Sequence, residues 1–398
     1  MQTNLVIVSK NKLLGVDGVM PIVMELRALY PNLSIIFVLI SDSHAGVIQK
    51  NYHLWEAIQS VKGQVFVLRT NNPILKVIRF LRFFIMLLFK RNIFLKDVDA
   101  LPKHRLFIKI LRKFSKVVEI KTYLVVSSTI FHKIYFSEKT LLREREGRKI
   151  SDYNFFNGHY EHYLTTLSPE QCKECYNINN PPQDKMINVG YVRKLPQWQN
   201  FVRQAVAKNK LVNSCDYFLY ILSLDGKRSL YLDEPNVIEL VKESLLVLKK
   251  YNNRIKTVLK PHAFTDVPRT EALLKKIGYT NYVIDYSHPM VLSSRAKFLF
   301  ANIFSTTMVD AFYMGKPTVE YCSYDPKLLE IFKKVGYESF GGPMCDYFIY
   351  RDPQKLDKVL DCLINGNGSL EIKRDPEFLR QNFPDTSSEF YDFWKKII

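Results

Sequence analysis

Six cysteines in 398 residues fall into no framework. Their irregular spacing excludes a disulfide scaffold, and the lone Cys172-x-x-Cys175 pair has no second pair or paired histidines to complete a zinc site. Free thiols in a reducing compartment are expected. Low-complexity tracts and usable internal repeats are missing as well. The start, Met1 to Val8, has neither a basic leader nor a long apolar stretch, so it reads as a first buried strand and not as a secretory signal. The apolar run Val77 to Phe89 is interrupted by Arg79 and Arg82 and is too short to span a bilayer. No zinc-finger, RNP-like or helix-turn-helix pattern occurs, so nucleic acid is not an expected partner. With 47% hydrophobic and 24% charged residues, the chain is globular and long enough for two domains.

Acidic residues are scarce in one place. Between Pro73 and Thr122, thirteen lysines and arginines face only Asp97, Asp99 and Glu119, so this segment carries +10 of the net +18. Charge this concentrated calls for an acidic partner surface. From Arg105 to Val118 the apolar residues follow helical spacing, while Arg105, Lys109, Arg112, Lys113 and Lys116 fall on the opposite face. Val77 to Phe89 reads as a second, more apolar helix. Both suit helices lying in an anionic membrane interface, and both equally suit ordinary domain helices with a solvated basic face.

The rest of the chain alternates strands and helices. The first half gives strands at Asn4–Ser9, Ser34–Ile40 and Gln64–Arg69, with helices starting at Gly18 and Gly46, then becomes less regular. The second half restarts the pattern: strands at Asp216–Ser223, Ile255–Lys260, Asn281–Asp285, Lys297–Ala301 and Thr318–Tyr321, separated by helices. Two βαβ runs predict two parallel-sheet α/β domains. The limits expected are 1–195, 196–375 and a returning C-terminal helix over 376–398.

The residues that carry chemistry concentrate between Val258 and Asp325. Lys260-Pro261-His262 closes one strand. Ser305 and Thr306 follow another, at the start of a helix whose N–H groups and dipole attract anions. A cation, an imidazole, hydroxyls and a helix start at the ends of neighbouring strands predict a phosphate site. Lys260, His262, Ser305 and Thr306 are its expected ligands, with strand-end exposure and simple helix capping as the alternatives. Glu320, ending the strand after Gly315-Lys316-Pro317, is a candidate for a ribose hydroxyl. His288, in a second His-Pro pair, is a candidate nucleotide contact. No metal cluster is expected. Asp17, between Gly15 and Gly18 at the first strand's end, is the first choice for a general base, and a helix cap is the alternative. Asp225, in Ser223-Leu224-Asp225-Gly226-Lys227, is the second choice, against a plain turn aspartate.

These stretches resemble those of GT-B-fold bacterial glycosyltransferases of surface-polysaccharide assembly. Lys260-Pro261-His262 resembles a lysine-x-histidine-proline donor motif, with Ala263 in place of the proline. Ser305-Thr306, Asp310-Ala311 and Gly315-Lys316-Pro317 resemble the serine–acidic–glycine-lysine-proline signature. Gly190-Tyr191-Val192-Arg193 resembles the glycine-x-proline-arginine step between domains, with Val192 for proline. Gly15 and Asp17, followed by Pro21, Leu26 and Pro31, resemble the heptosyltransferase opening, where the Gly-Asp pair is adjacent. The resemblance implies two Rossmann-like domains facing a cleft and braced by a C-terminal helix. It also implies transfer without metal or cofactor from a nucleotide-sugar, cytidine-linked by the Lys-x-His and Ser-Thr pairing (CMP-Kdo or CMP-sialic acid). Asp225 would then lie near the reacting centre. The acceptor would be a capsule, lipopolysaccharide or lipid-linked glycan at the cytoplasmic face of the membrane. A nucleotide-sugar 2-epimerase and a non-catalytic polyanion-binding protein are the alternatives.

Overall fold

A computed structural model describes residues 2–9, 13–69, 72–97, 119–126, 161–166, 183–222, 232–233, 237–262, 265–334, 336–368, 372 and 374–398. The expected basic helix with Arg105, Lys109, Arg112, Lys113 and Lys116 lies outside the described residues, as do Cys172, Cys175 and Asp225. The chain forms two compact units. The first draws on Met1–Thr129, Tyr153–Phe201 and Asp375–Ile398, and the second is built on Val202–Arg374.

In the first unit, strands β1 (Thr3–Val8), β2 (Ser34–Ser41), β3 (Gln64–Arg69), β4 (Arg91–Asp97), β5 (Glu119–Val126), β6 (His162–Thr165) and β7 (Met186–Asn188) form one sheet. Its order is β3-β2-β1-β4-β5-β6-β7, and every pairing is parallel. Leu5 to Val8 and Ile35 to Leu39 are buried throughout, the continuous apolar run that a sheet covered on both faces demands. Helices α1 (Leu13–Leu29), α2 (Asp42–Lys50), α3 (Tyr52–Ser60) and α4 (Pro73–Leu87) connect the early strands. Ser41, Asn51 and Asn72 cap the last three with their side chains. α1 begins earlier than the expected Gly18. Val16, Val19, Met20 and Val23 sit at helical spacing and are fully buried, and this periodicity outweighs the two glycines. Strands β4 to β7 arise where the sequence showed no regular pattern, because buried polar residues such as Asn92 and Lys96 interrupt their apolar signal.

The chain changes unit within α5 (Pro196–Lys208). The second unit continues with α6 (Lys210–Ser214), β8 (Tyr217–Leu222), α7 (Val237–Leu248), β9 (Lys256–Pro261), α8 (Val267–Ile277), β10 (Tyr282–Ile284), α9 (Pro289–Ser293) and β11 (Leu299–Ala301). It closes with α10 (Thr306–Tyr313), β12 (Thr318–Cys322), α11 (Pro326–Lys334), β13 (Tyr347–Tyr350) and α12 (Pro353–Asn365). All its strands are parallel, in the order β10-β9-β8-β11-β12-β13. Alternate residues of β8 separate the two faces. Phe218, Tyr220 and Leu222 join the core formed with α7, α8 and α12. Tyr217, on the other face, donates its hydroxyl to the Leu292 carbonyl of α9 at 2.5 Å.

The C-terminal segment forms two helices, α13 (Pro376–Asn382) and α14 (Ser388–Ile397), where the sequence predicted one. Both belong to the first unit. There Phe393 and Trp394 pack edge-on around Tyr123 of β5, with ring centroids 5.4 and 5.8 Å away.

Candidate functional site

In an open parallel sheet, the crevice for a ligand lies at the carboxyl ends of the strands where the order reverses. In the second unit that point falls between β8 and β11. Lys260 on β9, Ile221 on β8, Ala301 on β11 and Glu320 on β12 lie in one register row across the sheet. Lys260 and Ala301 are therefore separated by two strand spacings, about 10 Å. The Lys-x-His segment and the Ser305 turn thus flank the end of β8.

His262 is fixed at this edge by its backbone. Its N–H donates to the Leu222 carbonyl at 3.0 Å, and Thr265 bonds back to the His262 carbonyl at 2.9 Å. The Thr265 hydroxyl also donates to the Leu222 carbonyl, at 2.9 Å. The half-buried Lys260 ammonium lies 3.5 Å from the Tyr286 carbonyl, beyond β10.

On the other side of β8, Ser305 is the N-cap of α10. Its hydroxyl accepts from Thr307 N–H at 3.4 Å, and its carbonyl accepts from Met308 N–H at 2.8 Å. Of the two expected phosphate ligands, Ser305 is the buried cap, and Thr306, the first helical residue, is partly exposed. Gly315 adopts φ +73° just past α10, and Lys316 N–H then bonds to the Ala311 carbonyl at 2.9 Å. The glycine of the Gly-Lys-Pro stretch therefore terminates the helix, since a left-handed residue is what such an ending requires.

Two expected ligands are placed differently from the prediction. Glu320 is fully buried and accepts a hydrogen bond from the Tyr324 hydroxyl. Tyr324 in turn accepts from Phe304 N–H at 3.2 Å. The carboxylate thus supports the turn before Ser305 from inside the unit, away from any ribose at the surface. Burial raises its pKa to about 7, and hydrogen bonds from Tyr324 and Ser339 only partly offset that. His288 is buried too. It caps α9, its Nδ1 accepting from Met290 N–H at 3.2 Å. Nothing in the sequence pointed to Tyr324, Thr265 or Tyr286: their contributions are tertiary and follow no period.

Asp17 belongs to the first unit, inside α1 and not at the end of β1. It is neither a free strand-end carboxylate nor a helix cap. Arg193 Nη2 donates to Asp17 Oδ2 at 2.7 Å, with both side chains nearly sealed from solvent. The Asp17 carboxylate is thus engaged by a guanidinium in the interior of the unit. Arg193 sits in a short 3-10 turn, Val192–Lys194, and its Cζ lies 5.9 Å from the Trp198 ring centroid. Three residues earlier, Gly190 has φ +73°, and a Cβ there would fall 2.2 Å from the Asp385 carbonyl oxygen. Tyr191 N–H donates to the Pro384 carbonyl at 3.0 Å. Gly190 and Arg193, read as a domain step, are thus the contacts by which this turn holds α1 and the C-terminal segment of the same unit.

No family model matches the chain, and no curated protein matches it. Solved structures do. The S. aureus MnaA–UDP co-structure matches with a TM-score of 0.55 at 10% identity, covering 100% of this chain and 98% of that one. Phytolacca americana UGT2 complexed with UDP-2fluoro-glucose and pterostilbene matches with a TM-score of 0.51 at 11% identity, covering 100% and 99%. The chain has the GT-B fold over its whole length, as the sequence resemblance implied.

Proposed function

We propose that this chain is a glycosyltransferase that takes its sugar from a nucleotide-activated donor, bound at the switch point of the second unit. One observation carries the reading: Lys260 and Ala301 share a register row on either side of β8, so the Lys260–His262 strand end and the Ser305-capped start of α10 flank the end of β8. Transfer breaks the bond between the anomeric carbon and the nucleotide phosphate while an acceptor hydroxyl, giving up its proton to a carboxylate, forms the new one. The leaving phosphate gains charge in that step, and Lys260, His262 and the α10 N-terminus, with Thr306 at its surface, would stabilise it. In this reading the cations and the helix dipole take the role a metal would otherwise play at the leaving phosphate. For the acidic group near the reacting carbon we favour Asp225 over Asp17. It lies three residues beyond Leu222, the last residue of the switch-point strand, whereas Asp17 is held by Arg193.

Two lines of support bear on the nucleotide. The Lys-x-His and Ser-Thr resemblance favours a cytidine donor, while UDP and UDP-2fluoro-glucose occupy the two similar structures. We place the acceptor among surface glycans or their lipid-linked precursors at the inner face of the cell membrane, supported by the basic stretch from Pro73 to Thr122.

The test is a thermal-shift panel on the full chain with CMP, CDP, UDP, GDP and ADP, repeated on His262→Ala. Selective stabilisation by one nucleotide, lost in the variant, supports the donor site. No shift with any nucleotide, or one unchanged in the variant, overturns it. Conversion of the matching nucleotide-sugar without any acceptor would identify an epimerase instead.

A further inference from the structure

Helix α4 is apolar on two opposite sides. Phe83 and Leu87 face inward, into the cluster that contains Val6, Ile36, Val38 and Phe94. Ile74, Ile78, Leu81 and Ile85 follow at i, i+4, i+7 and i+11, one stripe along the outer side, and all are exposed, Ile74 by 69% and Ile85 by 63%. The stripe is about 17 Å long. Just past the helix, Phe89 is 74% exposed on a backbone with φ +57°, a conformation that bulky residues rarely adopt. An ordinary surface helix would carry polar residues along this stripe.

The charges beside the stripe are basic apart from Asp42 of α2. From Ala57 to Lys96 the chain has eight lysines and arginines and no acidic residue. Arg79 and Arg82 line a groove of about 570 Å³ between α4 and β3, together with Gln64, Val67 and Ile85. β3 is the edge strand of its sheet, so the groove opens outward. Asp42, from α2, reaches Arg79 Nη1 at 3.5 Å, an exposed pair of little strength. With fifteen residues, α4 is about 22 Å long, short of the hydrocarbon thickness of a bilayer. Among the described residues no helix is long and apolar enough to cross a membrane.

We propose that α4 is an in-plane anchor on an anionic lipid bilayer: Ile74, Ile78, Leu81 and Ile85 enter the acyl boundary, and Arg79 and Arg82 hold headgroup phosphates. Charge complementarity selects this occupant. A protein partner would need a matching acidic surface around an apolar ridge, whereas an anionic bilayer presents both phosphates and hydrocarbon. The anchor rests on the membrane-face reading proposed above, which uses the same basic stretch, but it involves no nucleotide, so failure of the donor-site test leaves it standing.

The experiment is co-sedimentation of the full chain with phosphatidylglycerol–phosphatidylcholine vesicles and with pure phosphatidylcholine vesicles. Ile78→Glu/Leu81→Glu and Lys76→Glu/Arg82→Glu variants, all at exposed positions, are run in parallel with melting curves. The wild type is expected to bind the anionic vesicles at least about ten-fold more tightly than the neutral ones. The apolar-stripe variant should lose binding to both, and the basic variant should lose the preference. Equal binding to both vesicle types by the wild type overturns the proposal. So does vesicle binding that survives in both variants, which would assign it to another segment such as 98–118. A dimer dispersed by Ile78→Glu/Leu81→Glu, with no vesicle binding, would make the stripe a contact between copies. A lowered melting temperature of that variant without vesicle binding would make it a covered face within the chain. Retention on duplex DNA but not on vesicles would make it a nucleic-acid surface. Each of these three also overturns the anchor.

Discussion

Arg193 and Asp17 are 176 residues apart in sequence, yet Nη2 and Oδ2 meet at 2.7 Å with side chains only 3% and 9% exposed. Two charges this deep lean on each other: removing one takes from the other its close charged partner. Asp17→Ala is expected to destabilise the first unit by about 3–5 kcal/mol, a fall in melting temperature on the order of 10 °C. Asp17→Leu/Arg193→Met, which removes both charges, should recover most of that loss in thermal melts. Equal loss in the single and double variants would show that the pair is not what holds α1 to the 190–193 turn.

Glu320 should make stability depend on pH. Its folded pKa of about 7 lies above the ordinary value of 4.5, so the unfolded chain releases this proton first as pH rises. The contribution is therefore fully favourable below pH 4.5 and is lost as pH rises through 7. The penalty for burying the charge then reaches the order of 3 kcal/mol. Glu320→Gln keeps the shape and an acceptor for Tyr324 but cannot ionise. The difference in stability between variant and wild type should rise from pH 5 to pH 8 in the variant's favour. A difference that is flat with pH would mean that Glu320 ionises without penalty.

Much of the second unit was legible because its signals are local. Prolines at 268, 289, 326 and 353 mark helix starts, and strand residues such as Tyr217 to Leu222 are apolar without interruption. The Lys260–His262 and Ser305–Thr306 stretches could be placed at strand ends by the same reading. Burial of particular side chains could not. Glu320 looks exposed at the end of a short strand until Tyr324 and Phe304 close over it. Gly15 and Gly18 drew attention to a loop at Asp17, although the spacing of Val16, Val19, Met20 and Val23 already described a helix. Its partner Arg193 is a tertiary fact, beyond any local pattern. β4 was hidden by its buried polar residues Asn92 and Lys96, and β6 and β7 by being only four and three residues long.

The two residues at the head of α10 should separate cleanly. Ser305→Ala removes a buried cap and is expected to cost about 1 kcal/mol of stability. Thr306→Ala touches a half-exposed position and should stay within about 0.5 kcal/mol of the wild type. Nucleotide-induced stabilisation should weaken in Thr306→Ala nonetheless, because the hydroxyl that alanine lacks sits at the helix start, while the backbone N–H is kept. Thermal melts with and without the matching nucleotide check both halves. A Thr306→Ala protein with the full nucleotide shift would remove Thr306 from the donor site.

The far end of α10 is held by Arg374. Its Nη1 and Nη2 bond to the Asp346 carboxylate at 2.8 and 3.0 Å. Nη2 also donates to the Lys316 carbonyl at 2.8 Å, and Cζ lies 3.6 Å over the Phe312 ring. Asp346 carries a second load, accepting from Thr318 N–H at 2.8 Å and from its hydroxyl at 2.9 Å where β12 begins. This asymmetry predicts an order of damage. Arg374→Ala strands a carboxylate that Thr318 still satisfies, and should cost about 2 kcal/mol. Asp346→Ala strands both a largely buried guanidinium and the Thr318 N–H, and should cost about 3–4 kcal/mol. Arg374→Lys keeps the charge but loses the two-pronged geometry and the stacking, and should fall between Arg374→Ala and the wild type. Denaturant titration of the three variants measures the order directly. If Arg374→Ala proves the most damaging, the stacking on Phe312, and not the carboxylate network, holds this end of the helix.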